Sequence, residues 1–356
     1  MEKQSLKRTI QDIWDKNEKG YHPLELALRG ASCLYAVSVR IRNWLYDIKI
    51  LPQKRLPCKI ISVGNIVVGG TGKTPMVIYL ANLLLAKGFR PAVLSRGYMG
   101  KSKSPVNIVS DGQRLFMKPE DCGDEPVLIS QAAKGVPVLT GPERFVTGQV
   151  AREKFGVDVL ILDDGFQHRK LARDVDIVLL RAEKPLGNGC LLPAGPLRES
   201  SRALKRADMV FHVGNDHERL PGAESAFQVF HKGNLLLNGA TKQEHSLEYL
   251  RGRRVGAFAG IASPERFQKT LTDAGADVAF LVSFPDHHFY TREEIRDIQK
   301  RTEEEKADMI ITTEKDGVKL TAFHMFLEKI YLLRVSMAFV SEEEKFVSSL
   351  LERLKD

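Results

Sequence analysis

Cysteine is scarce in this sequence: four occur in 356 residues, and Cys33, Cys58, Cys122 and Cys190 lie far apart with no C-x-x-C pair. That spacing argues against a structural zinc site and for a reducing compartment rather than a disulfide framework. Long apolar runs are missing too. The longest candidate, Ala31 to Val39, stops at Arg40, well short of the ~20 apolar residues that a spanning helix needs. The N-terminus shows no apolar core followed by a small-residue cleavage site, so no secretory signal is read there. A protein in the cytosol, or on the cytosolic face of a membrane, is expected. Internal repeats and low-complexity tracts are absent as well.

What is present is a globular composition, 43% apolar and 28% charged, in a chain long enough for two domains. The net charge of +8 is unevenly placed. Residues 1–60 hold 12 Lys/Arg against 6 Asp/Glu, so +6 of the charge lies in the first sixth of the chain, with both tryptophans, Trp14 and Trp44. Nucleic-acid binding would need such a patch on a recognisable module, and the sequence carries none.

Residues 22–50 read as a helix. Ala27, Ala31, Leu34, Val37, Ile41, Trp44, Leu45 and Ile48 recur at three- and four-residue steps, with Arg29, Arg40, Asn43 and Asp47 opposite and Arg42 and Lys49 flanking. By itself this pattern suits either a helix packed on its own domain or one lying in a membrane interface. From Lys59 onward, short apolar runs alternate with helical stretches, the pattern of an α/β fold with a mainly parallel sheet. A hairpin is expected within Phe227–Leu237, turning at His231-Lys232-Gly233, and a second α/β pattern follows. The expected division is a basic amphipathic segment over 1–58, a nucleotide-binding domain over 59–222 and a hairpin with a second α/β domain over 223–356.

The strongest chemical signal is Val67-Val68-Gly69-Gly70-Thr71-Gly72-Lys73-Thr74, after a strand and before a helix with Pro75 at its start. Glycines let backbone N–H groups cradle phosphate oxygens. Lys73 would reach the β/γ-phosphates and Thr74 would ligate Mg²⁺. Val67 occupies the first glycine position of the usual phosphate loop. A second anchor for the metal is expected on an acid ending an apolar strand, and Val159–Leu162 followed by Asp163 and Asp164 supplies it. Asp124, in Gly123-Asp124-Glu125-Pro126, reads from the residues alone as a helix cap. Phe284-Pro285-Asp286-His287-His288 offers an Asp–His pair that suits either an acid/base element or a surface loop. Leu192–Glu199 reads as a rigid loop presenting Arg198 and Glu199, and Arg96-Gly97-Tyr98 follows a strand where an α/β sheet exposes ligand-facing residues.

Taken in order, SVGNIVVGGTGKTP (62–75), LSRGY (94–98), GDEP (123–126), LDDGFQH (162–168), LLPAGPLRE (191–199), FPDHH (284–288) and TEKD (313–316) resemble the tetraacyldisaccharide 4′-kinase family of lipid A biosynthesis. The resemblance implies two α/β lobes, a P-loop NTPase-like N-terminal lobe and a smaller C-terminal one, joined by a two-stranded linker and preceded by an amphipathic membrane helix. It implies transfer of the γ-phosphate of ATP, with Mg²⁺, to the 4′-hydroxyl of tetraacyldisaccharide 1-phosphate, giving lipid IVA. It further implies Asp124 as the base supported by His287, and Asp163, Asp164 and Glu199 serving Mg²⁺ or ordering its water shell. Arg198 would face phosphate or substrate, Tyr98 the nucleotide. The expected partners are the lipid acceptor and a membrane surface, the inner membrane's cytoplasmic face; a monomer is expected. The rival from another class is a membrane-recruited switch ATPase, whose signature Lys before the Gly-Gly pair is replaced here by Val68.

Overall fold

The apolar rhythm after residue 58 produces a mixed α/β fold, which a computed structural model describes for residue 14, residues 23–214 and residues 226–355. In chain order the elements begin α1 Pro23–Asp47, β1 Lys59–Gly64, α2 Lys73–Ala86, β2 Pro91–Ser95, β3 Asn107–Ser110, α3 Asp124–Ala132 and β4 Val138–Thr140. There follow α4 Arg144–Phe155, β5 Val159–Asp163, β6 Val175–Arg181, β7 Met209–Gly214, β8 Phe227–Asn238, β9 Glu244–Ser246 and β10 Arg254–Ala259. The last are α5 Pro264–Asp273, β11 Asp277–Ser283, α6 Arg292–Glu304, β12 Met309–Thr313, β13 Ile330–Phe339 and α7 Glu343–Lys355.

The chain forms two compact units, and their composition differs from the expected division. Residues 97–140 group with 231–337, and residues 338–356 group with the first unit. Aromatic packing explains the second exchange: Phe339 and Phe346 close on Phe211, with ring centroids at 5.9 and 5.1 Å, and Tyr79 donates to Glu343 at 2.7 Å. The boundary expected near Pro221-Gly222 lies outside the described residues.

In the first unit the strands run β7-β6-β1-β5-β2, all parallel. Ile60, Ile61, Val63 and Val159–Leu162 are buried, as strands covered on both faces require. Val63 pairs with Asp163, so β1 delivers the glycine loop and β5 delivers its acid to one edge of the sheet. Ligands of open α/β sheets bind at that carboxyl edge.

In the second unit β11, β10, β12 and β13 are parallel. Side-chain alternation splits the core in two. Val255, Ala257 and Ala259 of β10 pack with Phe267 and Leu271 of α5, whereas Phe258 packs with Ile295 and Ile298 of α6. The hairpin expected at 231–233 is instead one continuous strand, β8. Gly233 does not take the positive φ that a two-residue turn needs. Its lack of a side chain serves close packing, since a Cβ there would meet Thr270 of α5 at 2.7 Å. The chain turns later, where the Asn238 side chain accepts the Ala240 and Thr241 N–H groups at 3.1 and 2.9 Å, and β9 pairs back on Leu235–Leu237.

Helix α1 packs on the first unit by its polar side. Ser32 donates to the Leu191 carbonyl at 2.8 Å, Tyr35 to the Arg198 carbonyl at 2.9 Å, and Asp47 pairs with Arg169 at 2.8 Å. Its apolar stripe faces outward: Leu34 is 76% exposed, Val37 55%, Ile41 51% and Trp44 55%. Leu45, expected on that stripe, is half-buried. Among the described residues, no helix is long and apolar enough to cross a membrane.

Candidate active site

The glycine loop is bent by Gly69 at φ 111° and Gly72 at φ 81°, both in the region that side chains avoid. Gly72 caps α2 with no side-chain bond, leaving the first N–H groups of that helix to meet an anion. Asn65 pins the loop from beneath, donating to Thr71 Oγ1 at 3.0 Å. Arg181, at the end of β6, donates to the Gly70 carbonyl at 3.0 Å and brings a cation that the motifs did not reveal.

Val67 and Val68, expected among the nucleotide-binding residues, both make contacts within the protein. Val67 is buried with Phe166 and Leu197, and the Val68 N–H is donated to the Pro196 carbonyl at 2.8 Å. A valine stands at the first glycine position because its side chain belongs to this apolar cluster.

Lys73 begins α2, and its ammonium lies 3.6 Å from Asp164. Arg198 holds the same carboxylate through both oxygens, at 3.0 and 2.9 Å. Burial pushes the Asp164 carboxyl up, but Lys73 and Arg198 outweigh it and hold its pKa below the usual range. Asp163 is buried at the end of β5 and accepts from Ser95 Oγ at 3.0 Å. Arg144, the first residue of α4, is buried beside it, donating to the Gly141 carbonyl at 2.6 Å; no motif pointed to it.

Asp163, Asp164 and Glu199 were expected to serve Mg²⁺ or to order its water shell. Among the described residues, no group of three His, Cys, Asp or Glu side chains is placed to hold a metal ion. Glu199 is 1% exposed, and its oxygens take Asn43 at 2.6 Å and Arg206 at 3.0 and 3.2 Å, with Arg42 at 3.7 Å. It anchors α1. A phosphotransferase Mg²⁺ does not need three protein carboxylates, because it keeps waters and takes phosphate oxygens. Thr74, the second residue of α2, and Asp163 at the end of β5 fit that lighter demand. Glu199→Ala is expected to destabilise the protein by about 2 kcal/mol, less than a fully buried pair would because Arg42 and Arg206 are partly exposed. Thermal melting checks this.

The second unit holds the imidazole–carboxylate pair. Asp124 is the first residue of α3, whose N-cap is Gly123, so the capping role read from sequence falls to its neighbour. Asp124 is 5% exposed; it accepts the Glu125 N–H at 3.0 Å, and both its oxygens lie 2.9 Å from His287 Nδ1. His287 sits at φ 63° on its turn, with the Tyr98 ring edge-on at 5.9 Å. Tyr98, expected near the nucleotide, has the imidazole as a neighbour. His288 turns elsewhere, meeting Glu294 at 3.0 Å and stacking on Phe284 at 4.8 Å.

Burial pushes the Asp124 carboxyl up, but the His287 bond, Lys315 and Lys319 bring its pKa below the ordinary value. The bond to Asp124 raises the His287 pKa above its ordinary value against the opposing effect of burial. An ionised Asp124 accepts from a protonated Nδ1, which makes Nε2 the nitrogen that changes state as pH rises.

A glycine loop closed on a helix start, with an acid at the end of the neighbouring strand, defines the class of P-loop phosphotransferases. Comparison with known proteins narrows this class. The family model for tetraacyldisaccharide-1-P 4′-kinase matches residues 24–355, and the chain belongs to that family. The tetraacyldisaccharide 4′-kinase of Syntrophus aciditrophicus is 46% identical over 99% of this chain and 100% of its own. That of Pelobacter propionicus is 44% identical, with 86% of each chain covered. The crystal structure of "apo" form LpxK from Aquifex aeolicus in complex with ATP matches with a TM-score of 0.77 at 37% identity, over 93% of this chain and 99% of that one. The resemblance drawn from the motifs is borne out.

Proposed function

We propose that this protein transfers the γ-phosphate of ATP to the 4′-hydroxyl of tetraacyldisaccharide 1-phosphate, forming lipid IVA. The observation that carries the reading is the family match over nearly the whole chain, in a sequence that carries a glycine-rich loop and a His287–Asp124 pair. Gly69–Thr74 would hold the phosphates through backbone N–H groups, with Lys73 leaving Asp164 for the β/γ-phosphates. Thr74 and Asp163 would hold Mg²⁺, which supplies neutralisation of the phosphate charge when bound. Arg198 keeps Asp164 in place, and Arg181 adds positive charge beside the loop.

For the proton, the pair is best used in the reverse of the order expected from sequence. Asp124 is the more buried member and already holds Nδ1–H, so His287 Nε2 would accept the hydroxyl proton while Asp124 orients the ring and stabilises the imidazolium. Release of ADP, followed with and without the lipid acceptor in detergent micelles, tests the reaction class. Turnover that requires the acceptor is expected; equal turnover without it would favour a switch ATPase.

We further propose that α1 rests on the cytoplasmic face of the inner membrane and that the two α/β units are lobes joined through β8 and β13. The outward apolar stripe supports membrane contact, because a helix packed only on its own domain would turn that stripe inward. Full burial of each large apolar side chain is worth about 1.5–3 kcal/mol, and each basic residue near an anionic surface about 1 kcal/mol. Flotation with anionic vesicles should show binding that weakens with salt and with Leu34→Glu/Ile41→Glu. Activity on a micelle-dispersed acceptor should persist in that variant. Binding indifferent to both changes would contradict the placement.

A further inference from the structure

Behind Asp124 lies a lysine that the motifs do not explain. Lys319, in the short 3-10 turn Val318–Leu320, has a side chain that is 0% exposed. Its ammonium lies 2.8 Å from Asp316 Oδ1, 3.9 Å from Asp124 Oδ2 and 5.6 Å from the centre of the Tyr290 ring. An ammonium taken fully out of water is costly unless it is paired, so its position is held by what surrounds it. Asp316 is itself fixed: its other oxygen accepts from Thr313 Oγ1 at 2.6 Å and from the Gly260 N–H at 3.1 Å, and its own N–H is donated to Thr313 at 3.0 Å. TEKD thus builds a bracket, Thr313 to Asp316 to Lys319, that ends at Asp124.

We propose that Lys319 is a positioning residue for proton acceptance: it holds Asp124 in the orientation that receives His287 Nδ1–H and moderates the hold of that carboxylate on the imidazolium. This rests on the reading of His287 as proton acceptor. The charged and titratable groups around the pair are Asp124 and Glu125 on α3, Asp286, His287 and Tyr290 on the adjoining turn, Lys315 and Asp316 on the single helical turn Glu314–Gly317, Lys319, and Tyr98. Asp286 is matched by Lys315 at 2.9 Å. Lys319 is the fully buried cation within 4 Å of Asp124, and without it the carboxylate would bind the imidazolium more tightly and lose a fixed neighbour.

The test uses the full chain in micelles and three variants, with kcat measured against pH and thermal melts run alongside. Lys319→Met removes the ammonium but leaves Asp316 buried and uncompensated. Lys319→Met/Asp316→Asn removes both charges, which a folded interior tolerates better. Asp124→Asn reports on the parent reading. In the double variant the plateau of kcat is expected to fall about tenfold, a part of what a placed base contributes. Its inflection should move up by at least about half a pH unit. If Asp124→Asn shifts the profile while the double variant keeps the parental plateau and inflection, or fails to fold, the proposal is overturned and Lys319–Asp316 is a structural pair. If Asp124→Asn leaves the profile unmoved, the reading of His287 fails first, and the role of Lys319 with it.

Discussion

Lys73→Ala lowers phosphoryl transfer by about 10³-fold or more while leaving the protein folded. The magnitude follows from what a phosphate-loop lysine does: phosphoryl transfer is catalysed mainly by positioning and by fixed charge, and the site loses its point charge at the β/γ-phosphates. The fold is expected to survive because Asp164, the present partner of Lys73, keeps both contacts to Arg198. The helix start is also formed by Gly72 backbone geometry rather than by the lysine side chain. Steady-state kinetics and a thermal melt check the two halves. A folded Lys73→Ala protein with near-parental turnover would remove the phosphate-loop assignment.

The second large effect is expected at the imidazole–carboxylate pair, and here pH gives the clearer readout. The His287 pKa lies above its ordinary value, so the neutral base forms only as pH rises through that raised value. Accordingly kcat/KM should climb with pH to an inflection above ~6.5. Stability should run the other way. The raised His287 pKa makes the ion pair stabilising at low pH, with its contribution lost as pH rises through the folded value. The depressed Asp124 pKa adds stability above its ordinary carboxylate range, and that contribution is lost on acidification. Asp124→Asn should bring the inflection down toward ~6.5 and lower the plateau by roughly 10² to 10⁴-fold. His287→Ala should lower it comparably, and the double variant should lose less than the product of the singles because the two act as one unit. An Asp124→Asn enzyme with parental rate and inflection would return Asp124 to a purely local role at the start of α3.

Much of the first unit was legible in the sequence because its signals are local. A strand, a glycine loop and a helix start are adjacent in the chain, and Asp163 ends an apolar run that can only be a strand. The parallel register that brings Val63 beside Asp163 then follows from the α/β pattern. What escaped was decided by contacts between distant segments. Nothing near Glu199 in sequence announces that Asn43 and Arg206 will occupy it, and its expected metal role came from the family resemblance alone. Lys319 belongs to none of the motifs, although its ammonium is sealed against Asp316. Residues 97–140 joined the second unit because α3 carries Asp124 to His287 and Lys319, a choice that no local propensity encodes. The hairpin at 231–233 failed for a simpler reason: Gly233 makes room for Thr270 instead of making a turn. The amphipathic pattern of α1 gave the helix correctly but could not say which face is outward; the hydrogen bonds of Ser32 and Tyr35 decide that.

The central claim is transfer of one phosphate from ATP to one particular hydroxyl. Its most direct test is to incubate the full chain with ATP labelled in the γ-phosphate, Mg²⁺ and tetraacyldisaccharide 1-phosphate in detergent micelles, then locate the label by mass spectrometry and phosphorus NMR. The account predicts a bis-phosphorylated lipid with the new monoester on the 4′-oxygen and the 1-phosphate intact, formed in step with ADP and absent with Lys73→Ala. Label released as inorganic phosphate while the lipid stays unmodified, or a new phosphate at any other position, would contradict it.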